Sequence, residues 1–379
     1  MFDYETLRVL WWAVLGILLM GFAVMDGFDM GALSLLPFIA RNDSERRIVI
    51  NTVGPVWEGN QVWLILGAGA IFAAWPTLYA VAFSGFYLAM FVALCSLILR
   101  PVGMKYRSKM PDERWRSIWD WCLFIGGTVP PVIFGVAFGN AIEGVPFTFD
   151  NSMRMTYSGT FLDLLNPFAI LCGLVSLSMI WLQGAAWLVV KTEASVQKRA
   201  RQTVATCAMM VPLLFAFAGL WAGSILKGYR YISAVHSAGP SNPLLKTVEH
   251  VQGAWMDNYT HMPVTLLVPM LVVIGAGIAL GGAAMRRPIV SFLGSSLVQM
   301  SVIGTAGVSM FPFLLPSSIN PDASLTVWDA SSSRTTLIIM TLVTAVFLPV
   351  VLAYTAWVYH VLRGKVTAAY VKDQGDNLY

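Results

Sequence analysis

A chain of 379 residues with 57% hydrophobic and only 12% charged residues, and a mean hydropathy of +0.69, is too apolar for a soluble domain, which carries about a quarter charged residues. An integral membrane protein remains. The formal net charge of +4 follows from loop composition and gives no ground for nucleic-acid binding.

Nine windows are long enough to cross about 30 Å of hydrocarbon, roughly 20 residues each. They fall at 8–37, 53–74, 77–99, 117–142, 164–190, 203–226, 262–284, 289–313 and 336–361. The start "MFDYETLR" has no basic n-region and the apolar run behind it is too long for a signal peptide, so the segment is expected to be retained. The first window holds "GFAVMDGFDMGALSL", with Asp26 and Asp29 three residues apart. The second opens on "VWEGNQVWL", and Pro76 in "WPTLY" separates it from the third. Pro130, Pro131, Pro212 and Pro349 predict kinks within later windows. Gly135 with Gly139, and Gly277 with Gly281, have the spacing of close helix packing. Asn140, Gln183 and Gln299 are isolated polar residues of the kind that bond between helices. Trp11, Trp75, Tyr79, Trp115 and Trp357 stand near the ends of apolar runs, where amphipathic rings prefer the interface. Cys95, Cys122, Cys172 and Cys207 each occupy a different apolar segment without a CxxC or Cys/His cluster, so buried free thiols are expected. The stretches 143–163, 227–261 and 314–335 are long enough to cap one face or meet a partner.

Basic residues order the loops. The stretches 38–52, 100–116, 191–202 and 285–288, with the tail after 361, hold 18 of the 24 Lys and Arg residues. Arg8, Arg154, Lys227, Arg230, Lys246 and Arg334 make up the rest. Cytoplasmic loops collect Lys and Arg, so the N-terminus is expected outside and the C-terminus in the cytoplasm. The basic loop "MKYRSKMPDERWR" reads as a topology signal touching anionic lipid.

The acids of the first two windows carry the chemistry. Asp26 and Asp29 share a helix face, with Asp29 about eight residues, or ~12 Å, before the inner end. Glu58 lies at similar depth on the next window, beside Asn60, Gln61 and Trp63, so three acids are expected in one inner-half pocket. An ionised carboxylate in hydrocarbon costs about 2.5–3.5 kcal/mol on insertion scales, and no base within the same spans is expected to compensate these. Acids clustered in a dry site favour protonation of at least one, which suits a proton relay; the alternative is that they fix helix packing through Asn60, Gln61 or backbone. Arg100 and Asp120, near the inner boundary, read as the mouth of that pocket or, preferably, as an interfacial ion pair. The four histidines lie in an outer loop, at a helix mouth or at the last inner end, so no haem ligation by this chain is expected. No Walker loop, HExxH or Ser/His/Asp pattern is present, and no resident metal is expected.

From Glu45 to Met90, "ERRIVINTVGPVWEGNQVWLILGAGAIFAAWPTLYAVAFSGFYLAM" resembles the second subunit of cytochrome bd type quinol oxidases. The likeness extends through "FDYETLRVLWW", "DGFDMG", "RPVGMKYRSK", "RWRSIWDW", "VPPVIFGVAFGN", "FPFLLPSS", "SLTVWDASSS" and the terminal "NLY", and covers essentially the whole chain. The resemblance implies an all-α integral membrane fold of two four-helix bundles, 1–143 and 144–313, followed by an outer loop, a ninth, peripheral helix and a cytoplasmic tail in 314–379. It implies a bacterial inner-membrane complex in which a larger subunit I carries haem b, haem d and the quinol site and reduces dioxygen to water. The second subunit then supports assembly, offers a cytoplasmic-side proton route, and in some members holds a quinone; small accessory subunits and lipid are further partners. Carried over by motif, Asp29 and Glu58 are the proton-route residues with Asp26 a weaker neighbour. Trp63 borders a gas or quinone path or, preferably, is an aromatic packing residue, and Asn60, Gln61, Arg100 and Asp120 are lining candidates. The commonest family wording has His-Trp-Asp where this chain has Val56, Trp57 and Glu58. Glu keeps a protonatable group, while the missing imidazole removes any His-assisted relay and fits a divergent branch such as the cyanide-insensitive one. Two rival readings use the same acids: a proton-coupled transporter, for which inverted repeats and broken midplane helices are expected, and a scaffold whose acids are only structural.

Overall fold

A computed structural model describes residues 3–234 and 236–374; the terminal Asn377, Leu378 and Tyr379 lie outside them. In chain order the helices are α1 Tyr4–Ser34, α2 Leu36–Ile39, α3 Asp43–Val53, α4 Trp57–Ala74, α5 Pro76–Gly85, α6 Tyr87–Tyr106, α7 Glu113–Glu143, α8 Pro167–Lys191, α9 Ala194–Ser224, α10 Asp257–His261, α11 Leu267–Ala284, α12 Pro288–Met310, α13 Arg334–Val361 and α14 Ala368–Gln374. Side-chain caps fix several of the starts, which fall before the expected window for α1 and α7 and after it for α8. Asp3 accepts from the Thr6 amide at 2.8 Å, Asp112 from Arg114 at 3.1 Å and Asn166 from Ala169 at 2.7 Å, each satisfying an otherwise orphaned first-turn donor.

Among the described residues, eight helices are long and apolar enough to cross a membrane: α1, the run Tyr87–Lys109 containing α6, α7, α8, α9, α11 with the turn before it, α12 and α13. The expected span 53–74 appears as α4, whose 18 residues reach about 27 Å, but Glu58, Asn60 and Gln61 in its opening turns keep it outside that set. The expected span 77–99 is corrected. It divides at Phe86 into α5 and α6, and α6 is the crossing part. The Tyr157 ring sits where a Cβ on Gly85 would stand, 2.6 Å away, so the end of α5 is pressed against a hairpin instead of running straight into α6.

α8 is the central helix, with 72% of its most apolar window buried, against 6% for α13. It packs on α1, α7, α9 and α12, while α13 rests on α1 and α4. Glycine permits the closest crossings: a Cβ on Gly31 would overlap the Ile180 carbonyl oxygen of α8, and one on Gly127 would stand 2.5 Å from the Met30 carbonyl oxygen of α1. Gly135 and Gly139 face α8 as their spacing predicts, but Gly277 and Gly281 do not pack. Nothing lies within 4 Å of either added Cβ; the α11–α12 contact runs instead over Gly275 and Gly282, against Gly294 and Ser291. The GxxxG spacing set a helix face and missed which face meets the neighbour.

Three short antiparallel hairpins cover one end of the helices: β1 Phe147–Phe149 with β2 Met155–Tyr157, β3 Lys227–Tyr231 with β4 Val248–Gln252, and β5 Phe313–Leu315 with β6 Leu325–Thr326. Fully buried Arg8 ties α1 to this cap, donating to Ser331 Oγ at 2.7 Å, Ser237 O at 2.6 Å, and Gly239 O and Ser241 Oγ at 3.0 Å. Trp11 and Trp75, expected at the interface, are buried instead; Trp11 Nε1 donates to the Leu337 carbonyl and Thr341 Oγ1. All four cysteines are free, but of the expected buried thiols only Cys207 is buried; Cys122 and Cys172 are partly buried and Cys95 is exposed. At the opposite, basic end, α3 carries Glu45 against Arg199 at 2.5 Å and Ser195 at 2.6 Å. Burial works against ionisation of Glu45, and its bonds to Ser195, Arg199 and the Arg41 amide outweigh it, holding the carboxyl below its usual range.

Candidate functional site

The carboxylate site is built where α1, α4, α6 and α13 converge. The three-residue spacing on α1 buries Asp26 and Asp29 together, and their partners come from different helices. Arg100 of α6 grips Asp26 with both ends of its guanidinium, Nη1 to Oδ1 at 2.7 Å and Nη2 to Oδ2 at 3.1 Å. Both side chains are at most 1% exposed. Gly126 of α7 makes room for the arginine stem, since a Cβ there would stand 2.8 Å from Arg100 Cγ. A base inside the spans therefore does compensate one acid, contrary to expectation. Planar two-point contact with a carboxylate is what arginine geometry favours.

The expected Arg100–Asp120 pair does not form. Asp120 of α7 accepts from Arg107 Nε at 2.6 Å and from Arg46 Nη1 at 2.6 Å, and Arg107 also reaches Asp43 at 2.9 Å. Arg100 and Arg107 are two helical turns apart, roughly 10 Å along the axis. That rise separates a deep pair with Asp26 from a basic-end network with Asp120.

Asp29 has a different environment. Its Oδ2 accepts from Asn60 Nδ2 at 2.8 Å, and Asn60 Oδ1 accepts from the Tyr359 hydroxyl at 2.7 Å. Asp29 Oδ1 is buried without a hydrogen-bond partner. Glu58 does not join the two aspartates. Two residues before Asn60 on the same helix, it points about 200° away and is exposed, while Asn60 is buried. Three acids in one pocket is thus corrected to two acids inside and one on the outer surface of α4. Gln61 is half-buried. Trp63 packs over Gly21 of α1, where an added Cβ would stand 2.5 Å from its ring. Gln183 and Gln299 do bond between helices, to the Val24 carbonyl at 3.0 Å and the Met179 carbonyl at 2.6 Å, while Asn140 bonds to the Leu164 carbonyl at 2.8 Å in the turn before α8.

Two features escaped sequence reasoning. Tyr359, near the end of the largely exposed α13, carries no signal in the sequence that sets it apart from the neighbouring aromatics. The second is a cavity of about 770 Å³ among α1, α7, α8, α9, α11 and α12, walled by apolar side chains including Phe22, Phe134, Met179, Phe215 and Met310. Pro131 and Pro212 line it, so the prolines that predicted kinks also mark where the helices part. All four histidines are exposed. Among the described residues no group of three or more His, Cys, Asp or Glu is placed to hold a metal ion.

The model of the cytochrome bd terminal oxidase subunit II family matches residues 7–362. This chain belongs to that family. It is 48% identical over 379 residues, the full length of both chains, to cytochrome bd-I ubiquinol oxidase subunit 2 of Escherichia coli K12. It is 47% identical, again over both full lengths, to a probable cytochrome oxidase subunit 2 of Haemophilus influenzae. A bd oxidase structure from Geobacillus thermodenitrificans shares the fold, with a TM-score of 0.69 at 17% identity, covering 94% of this chain and 98% of that one. As a subunit II chain the protein is part of a quinol oxidase complex in a bacterial membrane, with a subunit I as partner.

Proposed function

We propose that this subunit II serves a quinol:dioxygen oxidoreductase by supporting a larger subunit that holds haem b and haem d, and by passing protons to it from the basic end through Asp29. The observation that carries the reading is the unpartnered, buried Oδ1 of Asp29. It is the one carboxylate oxygen of the inner pair left open to take and release a proton, whereas both oxygens of Asp26 are held by Arg100. Asp26 is therefore a structural member of the pair, and the scaffold reading applies to it. Glu58 supports the partner's position. A carboxylate on the exposed face of a spanning helix is costly against lipid, so the face of α4 that bears it is covered by protein or water in the complex. Glu58 then stands on the partner side of α4 as the exit of the route, and protons pass around the first turn of α4, not directly from acid to acid.

The loop bias of Lys and Arg supports a periplasmic N-terminus and a cytoplasmic C-terminus. With α4 counted as a span beside the eight, the described residues hold nine: α1, α4, α6 and α7 in one bundle, α8, α9, α11 and α12 in the other, and α13 peripheral. A quinone or lipid chain held by this subunit would occupy the 770 Å³ cavity, whose apolar walls suit a hydrocarbon tail. Dioxygen, quinol and any accessory subunits belong to the assembled complex.

In that complex, Asp29→Asn and Glu58→Gln are each expected to cut quinol-driven oxygen consumption by about 100-fold, the lower end of what a positioned acid–base group contributes, with haem spectra and subunit ratio intact. Wild-type turnover in both variants overturns the route. Gentle purification without a haem-bearing partner, but with solute uptake in vesicles, would favour the transporter.

A further inference from the structure

We propose that Tyr359 is a positioning residue that selects which oxygen of Asp29 carries the proton, by fixing the orientation of the Asn60 amide. An asparagine amide has a donating and an accepting end. The Tyr359 hydroxyl donates to Asn60 Oδ1 at 2.7 Å, so the carbonyl end is engaged from the α13 side and the NH2 end is turned to Asp29 Oδ2 at 2.8 Å. Oδ2 is thereby held as an acceptor, and the proton is left to Oδ1. With the amide reversed, its carbonyl oxygen would face Asp29 Oδ2, an arrangement that holds only when the proton sits on Oδ2. Amide orientation and proton position are thus one variable with two settings; a phenol hydroxyl can also accept but is the better donor, so it favours the setting in which it meets Oδ1 of Asn60.

The tyrosine is built to hold this aim. Its ring stands edge-on to Trp187, 6.1 Å between centroids at 85°, and to Phe28, 6.4 Å at 81°. Trp187 is itself stacked on Phe28 at 4.1 Å, and its Nε1 donates to the Thr52 carbonyl at 3.3 Å. On α13, Tyr354, Trp357 and Val361 are exposed, while Tyr359 turns inward together with Val358 and Leu362, which pack against the core beside it and hold the ring in place. The peripheral helix therefore takes part in the proton site through a single hydroxyl.

This inference rests on Asp29 being protonatable, and the test separates the two. Tyr359→Phe keeps the ring and its contacts with Phe28 and Trp187 and deletes only the hydroxyl. In the holoenzyme the variant is expected to keep wild-type haem content and quinol KM, to lose kcat by about 5-fold to 10-fold, the worth of one hydrogen bond, and to shift or split the infrared carboxyl band that disappears in Asp29→Asn. An unmoved band, at any turnover, overturns the proposal, as does loss of haem content together with activity, which would mark a helix-anchoring role. Unaltered turnover in Asp29→Asn would sink the proton route while leaving the band to report on the amide.

Discussion

Replacing Arg100 with alanine is expected to leave the complex unassembled, or to destabilise the chain by about 3–5 kcal/mol, because it strands the fully buried Asp26 carboxylate without its partner. Thermal unfolding in detergent and the yield of haem-bearing complex report it. Removing both charges together, as Asp26→Leu with Arg100→Leu, is expected to recover most of that loss, since a buried ion pair and an apolar pair of similar volume are often close in free energy. The double variant carries a second reading. Normal turnover in it would place Asp26 off the proton route, as the two-point grip of Arg100 on its oxygens argues; turnover as poor as that of Asp29→Asn would return Asp26 to the route. A single Arg100→Ala variant as stable as wild type would show that Asp26 has another partner in the assembled complex.

Gly184→Val is the second large effect. A Cβ at Gly184 would fall inside the van der Waals reach of the Gly31 carbonyl carbon and the Ala32 amide nitrogen on α1. Neither atom belongs to a side chain that could swing away, so the two central helices must separate. Overpacking costs about 1–3 kcal/mol where side chains can give, and here the cost lies at or above the top of that range. Gly31 is two residues from Asp29, so any separation also moves the proton site. The expected outcome is little or no assembled oxidase, scored by haem absorbance per unit of subunit II. Gly277→Ala is the matched control: nothing lies within 4 Å of its added Cβ, and wild-type yield is expected. Equal yields from the two variants would contradict the close α1–α8 crossing.

Much of this was legible in the amino-acid order. Apolar windows located the long helices to within a turn or two, apart from the split of 77–99 and the start of α9, nine residues before its window, and motif order identified the family before any contact was known. The common face of Asp26 and Asp29 followed from helical periodicity. The assignment of partners did not. Arg100 was matched with Asp120 because both lie near the same boundary, yet Arg100 turns inward to Asp26, and Asp120 takes Arg107 and Arg46. Glu58 was grouped with Asp29 by depth, but Asn60 holds the inward direction on α4 and Glu58 the outward one. Gly277 and Gly281 had the correct spacing on the wrong side of their helix.

The sequence by itself determined the membrane class, the family and the height of each charged group along its own helix, because rise per residue and hydrophobic length are properties of one segment. Only the tertiary structure decided that Asp26 is gripped by Arg100, that Asp29 keeps one oxygen free, and that Tyr359 reaches Asn60 from a helix nearly 300 residues away in the chain. Those outcomes depend on how each helix is rotated about its axis against its neighbours. That rotation is set by where glycines let backbones touch, a condition that involves two helices at once and that neither one's pattern contains.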